Sequence, residues 1–257
     1  MNNTLKIYCK NINEYIAITG GETLQEIFLR ISDKINLAPI CAKVNNRTED
    51  LAFPVYSPKQ IEFIDSTSAS GNRVYTRSLC MILYKAVEDV AKGLHLRIEH
   101  SISKGHYCRL INPNNGIAEN VTDELVSEIK CRMNEIVNAD IPFVRKEKLT
   151  TDVIEIFKRQ NLNDKVQLLE TGHNLYTVYY QLDNLCDCYY GPLAPSTACI
   201  KAFDLQQYKE GFLLLGHSND NPKVAQSPIT QEKMFGAFTD YLSFNRILGI
   251  SNVGELN

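Results

Sequence analysis

The chain has 257 residues, 44% of them hydrophobic and 22% charged, with a net charge of −3. That length suits one or two domains with ordinary cores, and the near-neutral balance argues against a strong non-specific nucleic-acid binder, which is usually basic. The longest apolar runs, such as Phe212 to Leu215, fall far short of the roughly 20 residues needed to cross a bilayer.

Met1-Asn2-Asn3-Thr4 carries no basic region followed by an apolar stretch, so no signal peptide is expected. Cys9, Cys41, Cys80, Cys108, Cys131, Cys186, Cys188 and Cys199 are scattered, mostly among apolar neighbours. Reduced, buried thiols in a cytoplasmic protein are the expectation, with no membrane partner.

In chain order, Leu5, Ile7 and Cys9 alternate with Lys6, Tyr8 and Lys10, the period of a half-buried strand. Tyr15 to Thr19 reads as its hairpin partner, ended by Gly20-Gly21. Thr23-Leu24-Gln25-Glu26 is a capping box, in which hydroxyl and carboxylate each satisfy a free backbone N–H. Leu24, Ile27, Phe28, Ile31 and Ile35 then share a helix face, and Pro39 follows. Ile40 to Val44 and Gln60 to Ile64 read as strands, with a turn at Asn45-Asn46. The order β-β-α-β-β suits a small sheet covering one helix.

The polar, small-residue stretch Asp65 to Asn72 is read as a boundary or linker. A helix is expected from about Val74 to Ala91. Strands follow near Leu94–Glu99 and His106–Leu110, turning at Lys104-Gly105. Thr122 is a cap for a helix bearing Leu125, Ile129, Met133, Ile136 and Val137, with Asp123 and Glu124 suiting its positive end. Phe143 to Leu149 reads as a strand, and Thr150 or Thr151 as the cap of a short helix with Ile154 and Phe157. Leu175–Leu182, Ala198–Leu205 and Gly211–Leu215 read as strands, Gly216 to Pro228 as a loop, and Thr230 to Leu248 as a helix. The sequence closes on Ile247, Leu248, Ile250 and Val253, apolar where a terminus is usually polar, so a following domain is expected.

Ala42-Lys43-Val44-Asn45, Asp50-Leu51 and Ile61-Glu62-Phe63-Ile64 make residues 1–66 resemble a TGS domain, the ubiquitin-like β-grasp module of threonyl-tRNA synthetases and some GTPases and alarmone enzymes. Glu99-His100-Ser101, Gly105-His106-Tyr107, the helix from Thr122, Phe143 to Leu149 and Tyr190-Gly191-Pro192 make residues 67–228 resemble the second additional domain that threonyl- and alanyl-tRNA synthetases use for editing. The whole chain, through Arg73 to Leu79, Ile98 to Ser101 and the tail Ile247 to Leu256, is similar to the front part of bacterial nucleoside (uridine) kinases. The resemblance implies an α+β fold, with residues 229–257 forming a helix and linker towards a kinase domain of the same polypeptide. ATP and Mg²⁺ would belong to that domain. Such a kinase needs a P-loop, and Gly20-Gly21 and Gly216 lack its Lys-Ser/Thr partner.

The editing resemblance also implies a Zn²⁺ site, from an H-x-x-x-H pair on the first long helix and a C-x-x-x-H pair around a Gly-Pro. Met81 and Lys85 fall at the first pair, Tyr189 and Leu193 at the second. A thioether is a poor ligand for Zn²⁺ and an ammonium is repelled by it, so no metal and no catalytic residue is expected in this region.

Several residues invite a sharper reading. Cys186 and Cys188, with Cys108 or His106, are a weak metal pattern beside the simpler account of buried strand thiols. Cys108 with His100 or His106 is a conceivable nucleophile pair if the thiol pKa is lowered. Arg73, Arg77, His100, Lys104, His106 and Arg109 would suit an anion if they shared one cleft, whereas His100 as a strand-end residue bonded to a neighbour is the plainer account. Tyr75, Tyr107, Tyr189 and Tyr190 suit base stacking or simple packing. Arg145, Lys146 and Lys148 read as a solvated strand face. The leading expectation is a non-catalytic, ligand-binding or regulatory module of a nucleoside kinase. Its ligand would be a nucleoside, a nucleotide or another small molecule. An RNA- or tRNA-binding module is the first alternative. A residual aminoacyl-tRNA-type hydrolase with a Cys/His site is the second.

Overall fold

A computed structural model describes residues 4–247. The expected hairpin forms from β1 (Thr4–Cys9) and β2 (Glu14–Thr19), paired from Thr4↔Thr19 to Cys9↔Glu14. The box at Thr23 caps α1 (Leu24–Ile31), with both reciprocal bonds made. Strands β3 (Cys41–Val44), β4 (Arg47–Glu49) and β5 (Gln60–Ile64) complete a sheet of order β2-β1-β5-β3-β4. Asn45 and Asn46, with φ of 47° and 68°, make the tight turn into β4, which the sequence reading omitted. Leu24, Ile27 and Ile31 bury against Ile7, Cys9, Ile18, Ala42, Ile61 and Phe63 as one core.

The linker reading of Asp65 to Asn72 is corrected. Ser68 is an N-cap whose Oγ accepts from the Gly71 N–H at 3.0 Å, and α2 (Ala69–Val90) starts inside the polar stretch. A Cβ on Gly71 would lie 1.7 Å from the Asp65 carbonyl oxygen, so glycine permits the tight entry. Then come β6 (His95–Ile102), β7 (Gly105–Ile111), β8 (Ala118–Glu119) and α3 (Asp123–Asn138), capped by Thr122. Next are β9 (Val144–Leu149), α4 (Thr150–Arg159), α5 (Asn163–Thr171), β10 (Tyr176–Leu182) and β11 (Leu185–Asp187). The described chain closes with β12 (Asp204–Tyr208), β13 (Gly211–Leu215) and α6 (Glu232–Ile247).

Strands β12-β13-β7-β6 form the second sheet, with β8 on β7, and β11-β10-β9 form a third. One face of the second sheet, with Leu96, Cys108, Leu110, Phe212 and Leu214, packs on α2 and α3 in the main core. Its other face carries Ile102, Tyr107, Leu213 and Leu215, against which α6 lays Phe235. Helices α4 and α5 cover the third sheet through Val153, Phe157, Val166, Tyr179 and Cys186. The fold is therefore mixed α+β, as the sequence predicts.

Other expectations need correction. Thr150 is no cap: its hydroxyl donates to the Asn174 carbonyl at 2.6 Å, and Leu149 holds the N-cap position without a side-chain bond. Helix α5 was not anticipated. The strand expected over Ala198–Leu205 is a 3-10 turn (Thr197–Cys199) followed by β12, because Thr197 turns its hydroxyl to the Ile136 carbonyl and anchors the loop on α3. Strand β9 is exposed along its whole length, as its charges suggest. Among the described residues no helix is long and apolar enough to cross a membrane. Leu248, Ile250 and Val253, and the tail to Leu256, lie outside the described residues.

Candidate functional site

Arg73, Arg77, Cys80 and Tyr84 lie at i, i+4, i+7 and i+11 of α2, so helical periodicity sets them along one face. The segment after β11 runs against this face. Arg77 donates from Nε and Nη2 to the Pro192 carbonyl at 3.1 and 2.9 Å. The Ala194 N–H donates to Ser78 Oγ at 2.8 Å, and the Leu193 N–H reaches the Tyr180 hydroxyl at 3.4 Å. That hydroxyl donates in turn to Asp50 Oδ2 at 3.2 Å, linking the segment to the small first sheet.

Within the seam the Asp187 carboxylate, 3% exposed, pairs with the Lys165 ammonium of α5 and accepts the Cys188 N–H at 2.6 Å. Lys165 Nζ also sits 4.9 Å from the centroid of the Tyr84 ring, a cation–π contact. The Tyr189 hydroxyl is buried without a hydrogen-bond partner. Burial, with the Asp187 charge behind it, pushes the Cys80 thiol up to about 12 and the Cys188 thiol up to about 11. Burial likewise holds the Tyr84 and Tyr189 phenols well above their ordinary value. At neutral pH the seam offers an ammonium–carboxylate pair among protonated thiols and phenols. It can bind polar groups, and it lacks a thiolate nucleophile.

The four positions at which the resemblance implies metal ligands do not fit Zn²⁺. Met81 and Leu193 are fully buried in the main core, and Tyr189 packs against the same core. Lys85, 3% exposed, pairs with Asp89 at 2.5 Å and reaches Asp183 at 3.8 Å, while Arg132 takes the other Asp89 oxygen at 2.9 Å. Among the described residues no three His, Cys, Asp or Glu side chains gather as metal donors.

The cationic residues read from sequence as one cleft separate into different places. Arg77 sits against the segment that carries Tyr189 and Tyr190, while Arg73, one helical turn earlier on α2, donates to Ser70 Oγ at 3.2 Å. His100 and Tyr107 lie beneath α6, where the His100 ring stacks on Phe238 at 3.1 Å between centroids, 9° from parallel. Both His100 ring nitrogens are buried without partners, so the expectation of a neighbour bond fails for that side chain. Beside them is a cavity of about 390 Å³, lined also by Arg109 and Lys209. Arg109 is committed to Glu99, with Nε at 2.8 Å from the carboxylate. His106 lies on the opposite sheet face, because strand alternation sets it with Cys108 rather than Tyr107, and its Nδ1 is 3.2 Å from Ser101 Oγ. Lys104 sits exposed in the β6–β7 turn with φ of 64°. Tyr75 is buried, its hydroxyl donating to the Ala202 carbonyl at 2.8 Å, and cannot stack a ligand.

Cys186 and Cys188 pack in the α4–α5 core, while Cys108 lies in the main core, so the four Cys/His candidates do not converge. Burial holds the Cys108 thiol well above, and the His106 imidazole below, their ordinary values, which removes the thiolate–imidazolium pair a nucleophile needs. Lys165, Asp187, Tyr84 and Cys80 escaped the sequence reading. The α2 spacing from Arg73 to Tyr84 was legible, but Lys165 sits on the unanticipated α5.

No family model matches the chain. It is similar to curated threonine–tRNA ligases. The match is 28% identical over 204 residues with that of Desulforamulus reducens, covering 78% of this chain and 31% of the relative. With the Clostridium novyi protein it is 25% over 223 residues, 86% and 34% of the two chains. With threonine–tRNA ligase 1 of Bacillus subtilis it is 27% over 186 residues, 72% and 28%. The chain thus spans about a third of the length of the curated relatives it matches. Its mixed α+β fold is consistent with the editing-like domain of threonyl-tRNA synthetases.

Proposed function

We propose that this chain is an editing-like module that binds the end of an RNA, in the manner of a tRNA acceptor end, without cleaving it. The observation that carries this reading is the seam between α2 and the 187–194 segment. It holds a buried Lys165–Asp187 pair, with Met81, Lys85, Tyr189 and Leu193 at the positions where the resemblance implies metal donors. Protonated Cys80 and Cys188 speak for binding over hydrolysis. The proposed division is a TGS-like unit over residues 1–66, the editing-like unit over 67–228, and a helix and linker over 229–257.

The test is a titration with a short single-stranded RNA ending in CCA, followed by anisotropy at low and at moderate salt, beside a deacylation assay on an aminoacylated RNA. Binding that weakens with salt and no ester cleavage above background are expected. Absence of binding at low salt overturns the reading, and ester cleavage replaces it with the hydrolase.

The finer setting, a regulatory front module of a nucleoside (uridine) kinase with ATP and Mg²⁺ on a following domain, rests on the sequence resemblance alone. It makes uridine or its phosphates the ligand of the seam. Binding of uridine in place of RNA in the same titration would favour it.

A further inference from the structure

Across β6 and β7 the pairing runs Arg97↔Arg109 and Ile98↔Cys108, then skips Glu99 and resumes at His100↔Tyr107. Strict alternation would turn His100 toward the main core with Ile98 and Cys108. The extra residue turns it instead onto the face of Tyr107, with the two rings 5.6 Å apart. A bulge gives up ladder pairing and re-aims a side chain. The side chain re-aimed here is an imidazole with both nitrogens buried and unpartnered.

That ring borders the cavity of about 390 Å³ under α6, a volume within the range of small-molecule sites. Its floor is His100, Tyr107 and Arg109 of the sheet, and its roof is Phe235, Phe238 and Thr239 of α6. The walls are held in place. Phe235 meets Tyr107 edge-on at 5.3 Å and Tyr208 at 5.5 Å, and Gln231, just before the helix, accepts the Ser103 N–H at 2.7 Å. Such walls lose little freedom when a ring enters between them.

The charges of the lining narrow the class of ligand. Arg109 is bonded to Glu99 at 2.8 Å and Lys209 to Glu232 at 3.0 Å, and Glu210 adds its own carboxylate. Two cations thus meet three carboxylates, so an anion gains nothing by entering. Burial holds the His100 imidazole below its ordinary value, so at neutral pH the ring is uncharged, with one N–H to donate and one lone pair to accept.

We infer that the space between α6 and the outer face of the second sheet is a binding site for a flat, uncharged nitrogen heterocycle, packed on the aromatic walls and hydrogen-bonded at its edge to His100. The site stands apart from the RNA-end reading, since α2 packs on the opposite face of this sheet.

The test uses the full chain with adenine as the probe and AMP as its phosphate-bearing counterpart, followed through the histidine ring nitrogens by NMR. Adenine should shift the His100 nitrogens, and AMP should bind no tighter than adenine. His100→Phe keeps a flat wall without the nitrogens and should weaken adenine by about two- to twelvefold, the share of one hydrogen bond. Thr239→Trp, on the exposed side of α6, fills the cavity and should abolish binding with the melting temperature unchanged. No shift at His100 with millimolar adenine, unchanged affinity in His100→Phe, or tighter binding of AMP would each overturn the site. Retained binding in Thr239→Trp would place adenine elsewhere and overturn it as well.

Discussion

Lys165→Met is the most informative perturbation of the seam. The Asp187 side chain is 3% exposed and that of Lys165 17%. Removing the ammonium leaves a buried carboxylate that still accepts the Cys188 N–H. Breaking a buried pair costs about 3–5 kcal/mol, and that surviving N–H bond sets the value here at the low end, about 3 kcal/mol. In a chain of this size such a loss lowers the melting temperature by about 6–12 °C. Asp187→Asn should cost less, about 1 kcal/mol, because the amide still accepts the Cys188 N–H and the freed lysine can reach water. The double variant should then cost less than the sum of the two, with about 1–2 kcal/mol of coupling. Urea denaturation of the four proteins measures this cycle. Additive single effects, or a Lys165→Met loss under about 0.5 kcal/mol, would show a solvated pair, and the account of a dry polar seam would fail.

Other expectations follow from the same coordinates. Tyr180→Phe removes the donor to half-buried Asp50 and the acceptor of the Leu193 N–H, and should cost about 1–3 kcal/mol in the same denaturation assay. Gly71→Ala drives a Cβ into the Asp65 carbonyl and should cost about 2–4 kcal/mol, whereas Gly236→Ala in α6 meets nothing within 4 Å and should add about 0.5–1 kcal/mol; paired melting curves decide both. Burial holds the His100 imidazole below its ordinary value, so the folded chain favours the neutral ring. The resulting contribution is intact above the unfolded histidine value of about 6.5 and is lost as the pH falls through it. His100→Leu should flatten the decline in melting temperature between about pH 7.5 and pH 5.5, while His106, shifted the same way, keeps part of it. With a thiol reagent, exposed Cys131 should react at once and buried Cys9, Cys41, Cys108 and Cys186 only on unfolding. Fast reaction of Cys108 would contradict its place in the core.

Legibility from sequence followed the strength of local signals. The box at Thr23 and the cap at Thr122 are chemical devices complete within four residues, and both were read correctly. The stretch at Asp65 misled because small polar residues serve equally as linker and as helix cap. What decides is the Gly71 backbone closing on Asp65, a tertiary fact. Helix α5 hid because its buried side is reduced to Val166 with Leu169 half-buried, too thin a stripe to show as a period. For the site, clustering of cations along the chain suggested one cleft, and strand alternation then divided His100 from His106. Lys165 and Asp187 are 22 residues apart, on α5 and at the end of β11, and meet only once the β10–β11 hairpin has folded back, which no spacing rule connects.

The phenol oxygen of Tyr180 joins the 191–194 segment to the end of the small first sheet. Tyr180 holds the backbone of Leu193 on one side and the carboxylate of Asp50 on the other. Thermodynamic coupling runs both ways with equal strength. A molecule that draws the 191–194 backbone outward must loosen the grip on Asp50. Anything that steadies the first sheet through Asp50 must tighten the loop by the same factor. The first sheet and the set of the 191–194 segment are thereby two ends of one equilibrium.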